Sequence, residues 1–422
     1  MKMLKALFHW VPEASESARR FPFTIIATTA AFLMAMIAVW APHTGTTPIA
    51  RYIAVCATAI SLTVAIALFR HQKLDQARIT LVQATGLILL GAFTWLHRST
   101  QDSIFFQKLG LIALGLHFLV AVSPFVFDRN EMKFWEFNRA LFARAALTVC
   151  YSGLLFGGIL AALGSLQPLF GISVNEHVIE TIGIFIAFPV STLFFLAGVP
   201  SRAIKWEQPA EYPKALRLLI TNVTAPLIAV YFLILYVYSA KILITRTWPD
   251  GAIGWLVSAL ATLVILTHLL SFPIQSDPTR VFFRWLSKNL FRLLLPLLIL
   301  LFIAIHERVD AYGWTQARVL LFALACWSTA VAIAWSTKTP RLSIFWIPTS
   351  LAAIVFVMAV GPFSAFAIAL RSQTSRFEKL VAAKPLDFKD IEATRARYDR
   401  DARFELSRTL DYICQHGGKK AV

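Results

Sequence analysis

Three cations stand where their surroundings make them costly or out of pattern. Lys241 lies near the end of the apolar run T-N-V-T-A-P-L-I-A-V-Y-F-L-I-L-Y-V-Y-S-A-K-I-L-I. A lysine there is expensive unless it snorkels or pairs. Arg308 and Arg318 flank a later loop. Lys241, Arg308 and Arg318 are candidate ligands for one anion, a lipid headgroup or an acidic small molecule. Pairing with Asp250, Glu307 or Asp310, plus snorkelling, is the commoner arrangement and outweighs the site on residue types alone. The same run offers candidate cavity-lining groups: Asn222, Thr224, Tyr231 and Tyr238. Thr224, Tyr231 and Tyr238 recur at seven-residue intervals and so share a helix face. Asn222 and Pro226 fall on another, and Pro226 frees a carbonyl and can bend the helix.

Other chemistry is weaker. His117 and His268 lie in apolar runs and could shuttle protons, but a neutral histidine bonded between helices is more usual. Glu176, His177 and Glu180 share one loop, and His306, Glu307 and Asp310 another. Nothing in the sequence joins the loops, so no metal site is expected. Cys56, Cys150 and Cys326 sit in apolar runs and Cys414 stands alone, without the spacing of a zinc site or disulfide framework. There is no P-loop, H-E-x-x-H or G-x-S-x-G. No catalytic residue and no cofactor is assigned, and an enzymatic role is the least expected. None of the 23 Asp and Glu lies inside an apolar run, which counts against a carboxylate-coupled ion transporter. Backbone carbonyls and hydroxyls can still bind Na⁺.

The elements that position these residues follow from composition. Of 422 residues, 58% are hydrophobic and 15% charged, against about a quarter charged in soluble domains. That excludes a disordered chain, a coiled coil and a typical cytosolic enzyme. The apolar residues come in runs of about 20, the length that spans a bilayer. The expected fold is all-α, a polytopic transmembrane bundle of about eleven spans: 22–40, 49–69, 79–96, 108–127, 141–164, 180–199, 217–243, 253–275, 290–305, 316–335 and 343–370. Residues 1–21 form a cytoplasmic N-terminal segment, 22–370 the bundle and 371–422 a polar helical tail.

The net charge of +17 reads as topology. With the N-terminus inside, the N-terminal segment and even-numbered loops hold 21 basic residues, the odd loops and adjoining span ends 7, and the tail 12. This is the positive-inside pattern, and nucleic acid is not an expected partner. An odd span count places the tail outside, in the periplasm of a bacterial inner membrane. Gly361-Pro362 could kink the last span or turn it back. Leu4, Leu7 and Phe8 suggest a short interfacial helix, and Glu131–Arg144 an inner-surface helix among headgroups or an extension of the fifth span. Gly153, Gly157 and Ala161 make a small-residue face for close helix packing.

A family resemblance rests on ordered motifs. They are F-W-E-F-N-R at Phe134–Arg139, V-P-S-R at Val199, Y-P-K-A-L at Tyr212–Leu216, and the seventh apolar run followed by W-P-D-G. Next comes R-x-x-x-Y-G-x-T-x-x-R, carried by Arg308, Tyr312, Gly313, Thr315 and Arg318. G-P-F-S-A-F at Gly361 and R-S-Q at Arg371–Gln373 complete the set. Together, over about residues 130 to 380, they resemble a bacterial multi-pass membrane family, domain of unknown function 4153. The resemblance implies an integral inner-membrane protein and carries no activity with it. Lys241, Arg308, Tyr312 and Arg318 fall on its patterns. The leading expectation is a permease-like protein handling an anionic or amphipathic small molecule or lipid. The alternative is a non-transporting sensor or assembly protein acting through its tail or loops. Expected partners are membrane lipid, an anionic ligand, and a protein met through the tail.

Overall fold

A backbone surrounded by lipid must satisfy its own N–H and C=O groups, and long apolar segments do so as helices. Among the residues described by the computed structural model, every regular element is a helix. Those residues are 16–41, 46–69, 75–200, 211–245, 252–275, 277, 279–337, 342–383 and 398–417. The expected interfacial helix at Leu4–Phe8, the W-P-D-G motif with Asp250, and Arg202 lie outside them. Ten described helices are long and apolar enough to cross a membrane, and Trp346–Ala359 is a shorter apolar one. The chain is an all-α, multi-pass membrane protein. It divides into two units, Met1–Pro209 and Ala210–Val422.

The first unit holds α1 (Pro22–Trp40), α2 (Thr46–Leu68), α3 (Gln76–Leu96), α4 (Asp102–Val122) and α5 (Glu131–Phe170). It ends with α6 (Glu176–Phe185) and α7 (Ser191–Ala197). α2 packs against α1, α3 and α4, around Ala27, Ala59, Leu90, Phe105 and Leu109. Hydroxyls bridge inside this core: Thr24 meets Thr63 at 3.0 Å, and Gln83 donates to the Thr63 carbonyl at 3.0 Å. His117 joins α4 to α2, its Nδ1 donating to the Ala113 carbonyl at 2.7 Å and its Nε2 facing Ser61 at 3.3 Å. Arg51 reaches the end of α3, donating to the carbonyls of His97, Arg98 and Thr100 and pairing with Asp102.

α5 settles the reading of Glu131–Arg144. It is one 40-residue helix, about 60 Å long against a hydrocarbon core of about 30 Å. Its first turns are buried at Phe134, Trp135, Glu136 and Phe137, with the Phe134 and Phe137 rings 5.4 and 5.5 Å from Phe125. This stretch extends the span; it is not a separate helix among headgroups. The small-residue face beyond it is open, with no heavy atom within 4 Å of a Cβ built on Gly153 or Gly157.

The sixth span contains a wide π-type turn at Ile186–Val190 around Pro189. The Ile186 oxygen at its start accepts from the Ser191 N–H and also from the Ser191 hydroxyl at 2.7 Å, and that hydroxyl meets Ser152 of α5 at 2.8 Å. The carbonyls at the end of α7 are then taken by arginines. Arg144 of α5 donates through Nε to Phe194 at 2.8 Å, and Arg20 to Val199 and Pro200 at 2.8 Å each.

The second unit holds α8 (Lys214–Leu218), α9 (Ala225–Thr245), α10 (Ala252–Ser271), α11 (Val281–Tyr312), α12 (Gln316–Ser336), α13 (Trp346–Ala359), α14 (Ala365–Ala383) and α15 (Arg400–Gly417). A second wide turn, Leu219–Thr224, joins α8 to α9 just before Pro226. Thr224 answers the Leu219 carbonyl at 3.1 Å. Tyrosines tie the helices through carbonyls: Tyr212 to Leu270 at 3.0 Å, Tyr231 to Leu256 at 3.2 Å and Tyr236 to Leu293 at 2.7 Å. α11 forms the centre, with Leu294, Leu297, Leu298 and Leu301 almost wholly buried. His268 is buried beside it, held by Gln275 and edge-on to Phe291 and Trp335.

The last expected span, 343–370, is interrupted at the Gly361-Pro362 pair. The helix stops at Ala359, where Val360 is extended and Gly361 has φ +89°. Its 14 residues reach about 21 Å, short of a full crossing. Trp327 of α12 donates to Ser350 of α13 at 2.9 Å, and α14 carries Ser372 and Gln373 to the turn between α11 and α12. α15 packs on α14, so the tail sits at that end of its unit.

Gly198 and Arg144 provide a test of carbonyl capping. A Cβ on Gly198 would lie 2.1 Å from Arg144 Nε, so Gly198→Ala displaces the side chain that caps Phe194. We expect Gly198→Ala and Arg144→Met each to destabilise the detergent-solubilised protein by about 1–3 kcal/mol. The double variant should be no worse than the poorer single one in thermal unfolding. Additive losses would mean that the two residues do not act on one carbonyl.

Candidate anion-binding site

The site begins with a four-residue turn. α11 ends at Tyr312 and α12 starts at Gln316, so Tyr312–Thr315 reverses the chain at the end of two spans. Gly313 has φ +71° and ψ 176°, a region essentially reserved for glycine. The turn exposes carbonyls that neither helix satisfies, and α14 supplies the donors. Gln373 donates to the Tyr312 oxygen at 3.2 Å and the Trp314 oxygen at 2.8 Å. Ser372 accepts from the Trp314 N–H at 3.1 Å, and Arg376 donates to the Ala311 oxygen at 2.8 Å. Arg318, one turn into α12, donates back to the Gly313 oxygen at 2.7 Å.

These contacts gather cations around one ring. The guanidinium carbons of Arg408, Arg318 and Arg308 lie 4.8, 5.5 and 5.9 Å from the centre of the Tyr312 ring. Cation–π attraction holds such groups, each by about 0.5–1 kcal/mol where exposed. Arg318 feels the charges of Arg408, Arg308 and Arg376. Arg376 is neutralised by Glu405 of α15, its Nε at 2.6 Å. Among the described residues, no carboxylate pairs with Arg318 or Arg408. The tail also brings Tyr412, its hydroxyl enclosed against the first turn of α12. Burial pushes that phenol's pKa up, opposed by the Gln316 backbone and the Arg318 charge. Neither the Tyr412 hydroxyl nor Gln316 Nε2 has a hydrogen-bond partner of normal geometry.

The expected site residues therefore separate. Arg308 and Arg318 meet at Tyr312. Lys241 is exposed on α9 and is not among the charges acting on Arg318. Asn222 lies at the opposite end of α9 from Lys241, where Arg280 donates to it at 2.8 Å and to Thr221 at 2.6 Å. Asp277 completes that second cluster. Its carboxyl is held below the usual range by the Thr279 hydroxyl and N–H, with Arg217 and Arg280 adding to this against some burial. Thr224 caps the wide turn, Tyr231 bonds α10, and Tyr238 is half-buried. Arg376, Glu405, Arg408 and Tyr412 were not expected. Nothing in a sequence says where a tail helix folds back. The nearest signal was the amphipathic pattern of the tail, with Phe404, Leu406 and Leu410 among its charges.

The motif pieces that meet here belong together in one family. The family described as Domain of unknown function (DUF4153) matches residues 6–392. The chain belongs to it. A curated relative in Pasteurella multocida (strain Pm70), "Uncharacterized protein PM1469", is 24% identical over 300 residues, covering 71% of this chain and 50% of the relative. The chain thus spans about half the length of that relative. No solved structure matches. Within the DUF4153 match, R-x-x-x-Y-G-x-T-x-x-R and R-S-Q are the two strands of sequence that close the Tyr312 turn on α14.

Gly313 tests the turn. A Cβ there would meet Gln373 Nε2 at 2.9 Å in addition to the unfavourable φ. Gly313→Ala should cost about 1–3 kcal/mol and raise hydrogen exchange in α14 and α15. An unchanged exchange pattern would show that the turn does not anchor the tail.

Proposed function

We propose that this chain is a bacterial inner-membrane protein, permease-like, that handles an anionic or amphipathic small molecule or lipid and recognises its anionic group at the Tyr312 cluster. The observation that carries the reading is Arg318. It is surrounded by three other guanidinium groups and paired with no described carboxylate. Gathering like charges opposes folding, and a bound anion is the simplest compensation. The cluster stands at the ends of two apolar helices of spanning length, which supports a headgroup-level role.

The topology fits this reading. With the N-terminus cytoplasmic, the distribution of 21 basic residues inside and 7 outside puts the Tyr312 turn and the docked tail in the periplasm. Lys241, near the same end of the bundle, would then act as an outlying attraction for the anion. A sensor or assembly role has its own support: α15 is held to α14 by the Arg376–Glu405 pair and leaves Phe404 exposed, a surface for another protein.

The test is native mass spectrometry of the intact protein purified from its membrane. Anionic species should co-purify with the wild type, fall several-fold in occupancy with Arg318→Gln, and fall little with Lys241→Ala. The same species at equal occupancy in Arg318→Gln would overturn the assignment.

A further inference from the structure

We propose that the Tyr312 cluster is a phosphate site shared between the bundle and its own C-terminal helix, so that a bound phosphomonoester clasps α15 to the turn. This deepens the anion reading above and rests on it. Three observations lead to a phosphate and to the tail.

The first is the origin of the charges. Arg318 belongs to the bundle and Arg408 to α15, and both approach the Tyr312 ring. Arg376 and Glu405 already fasten the two parts. To that fastening Arg408 adds a cation–π contact with the Tyr312 ring and no ion pair. It is exposed, makes no hydrogen bond or ion pair among the described residues, and brings a like charge toward Arg318. An anion between them turns this repulsion into a bridge.

The second is the donor set. A carboxylate has two oxygens and one charge, which a single guanidinium fork satisfies. A phosphomonoester carries up to two charges and three terminal oxygens, and arginine forks from two sides match it. The Tyr412 hydroxyl, enclosed against the Gln316 backbone and within reach of the Arg318 charge, is a further donor. Thr315 gives no side-chain cap to the first turn of α12, whose backbone N–H groups favour an anion.

The third is position. Phe404 is 70% exposed and lies one helical turn before Arg408 on the same face of α15. An exposed aromatic beside an arginine, at the end of two spans, suits a headgroup with its acyl chains below. The phosphate could equally be free in solution, and the experiment separates the two sources.

The full-length chain is placed in nanodiscs of phosphatidylcholine, and hydrogen exchange of Arg400–Gly417 is followed in three arms. One adds phosphatidic acid, one adds phosphatidylglycerol at matched charge, and one adds inorganic phosphate to the buffer. Phosphatidic acid should slow exchange in α15 by about tenfold. Arg318→Gln and Arg408→Gln should each abolish the slowing, and Arg408→Lys should weaken it. Arg403→Gln, whose guanidinium donates to the Asp399 carbonyl just before its own helix, should leave it intact. Equal slowing by inorganic phosphate supports the clasp with free phosphate as its source. Equal slowing by phosphatidylglycerol overturns the phosphomonoester assignment. If an anion binds in an Arg318-dependent way while Arg408→Gln and α15 exchange are indifferent, the clasp fails and the anion reading survives. If nothing binds in any arm, both fail.

Discussion

A carbonyl without a donor is the constraint around which this protein is arranged. In lipid an unsatisfied backbone group costs several kcal/mol. Every place where a helix ends or bends inside the bundle must therefore be repaired. Wide turns lie beside Pro189 and Pro226, and in both a hydroxyl five residues on, Ser191 or Thr224, donates to the carbonyl that opens the turn. Where α7 ends, Arg144 and Arg20 reach its last carbonyls from elsewhere in the unit. Arg51 repairs the end of α3 in the same way. In the second unit tyrosines do this between helices, and α14 does it for the Tyr312 turn.

This rule gives the basic residues a structural meaning separate from topology. Long guanidinium side chains can span from one helix to the end of another while their stems stay apolar. Arginines that cap carbonyls need no carboxylate, which explains how so few acids can serve so many bases. Arg318 follows the rule through Gly313. Arg408 does not: among the described residues it caps no carbonyl and pairs with no carboxylate, and its contact is with the Tyr312 ring. On the proposed reading it is a binding element.

Much of the fold was legible because hydrophobic length and backbone satisfaction act locally. Ten apolar runs became helices of spanning length, and the wide turn before Pro226 follows from a residue with no N–H. The break at Gly361 was visible as a glycine–proline pair, although whether it bends or ends the helix depends on α14 being drawn to the Tyr312 turn. The site was half legible. Arg308 and Arg318 flank the turn in sequence and both approach the Tyr312 ring. Lys241 stood out for its cost in an apolar run, but cost does not fix a neighbour. Asn222 was chosen for its polarity inside a span, and it serves Arg280 at the other end of α9. Arg376, Arg408 and Tyr412 depend on the return of the chain after α13, a long-range contact with no local signature.

The tail therefore links the two functional readings. A transport or lipid-handling protein needs a place where an anionic group pauses at the membrane surface, and the Tyr312 cluster has that chemistry. A sensor needs a segment whose position depends on a ligand, and α15 contributes Arg408 and Tyr412 to the same cluster while being held otherwise mainly through α14. One bound anion would be read by both parts at once. By linkage, any ligand that bridges Arg318 and Arg408 stabilises the docked tail by as much as the docked tail strengthens its binding. A partner that draws the tail away would weaken that ligand to the same degree. On the proposed reading, handling of an anionic molecule and signalling through the tail would be two consequences of a single coupling.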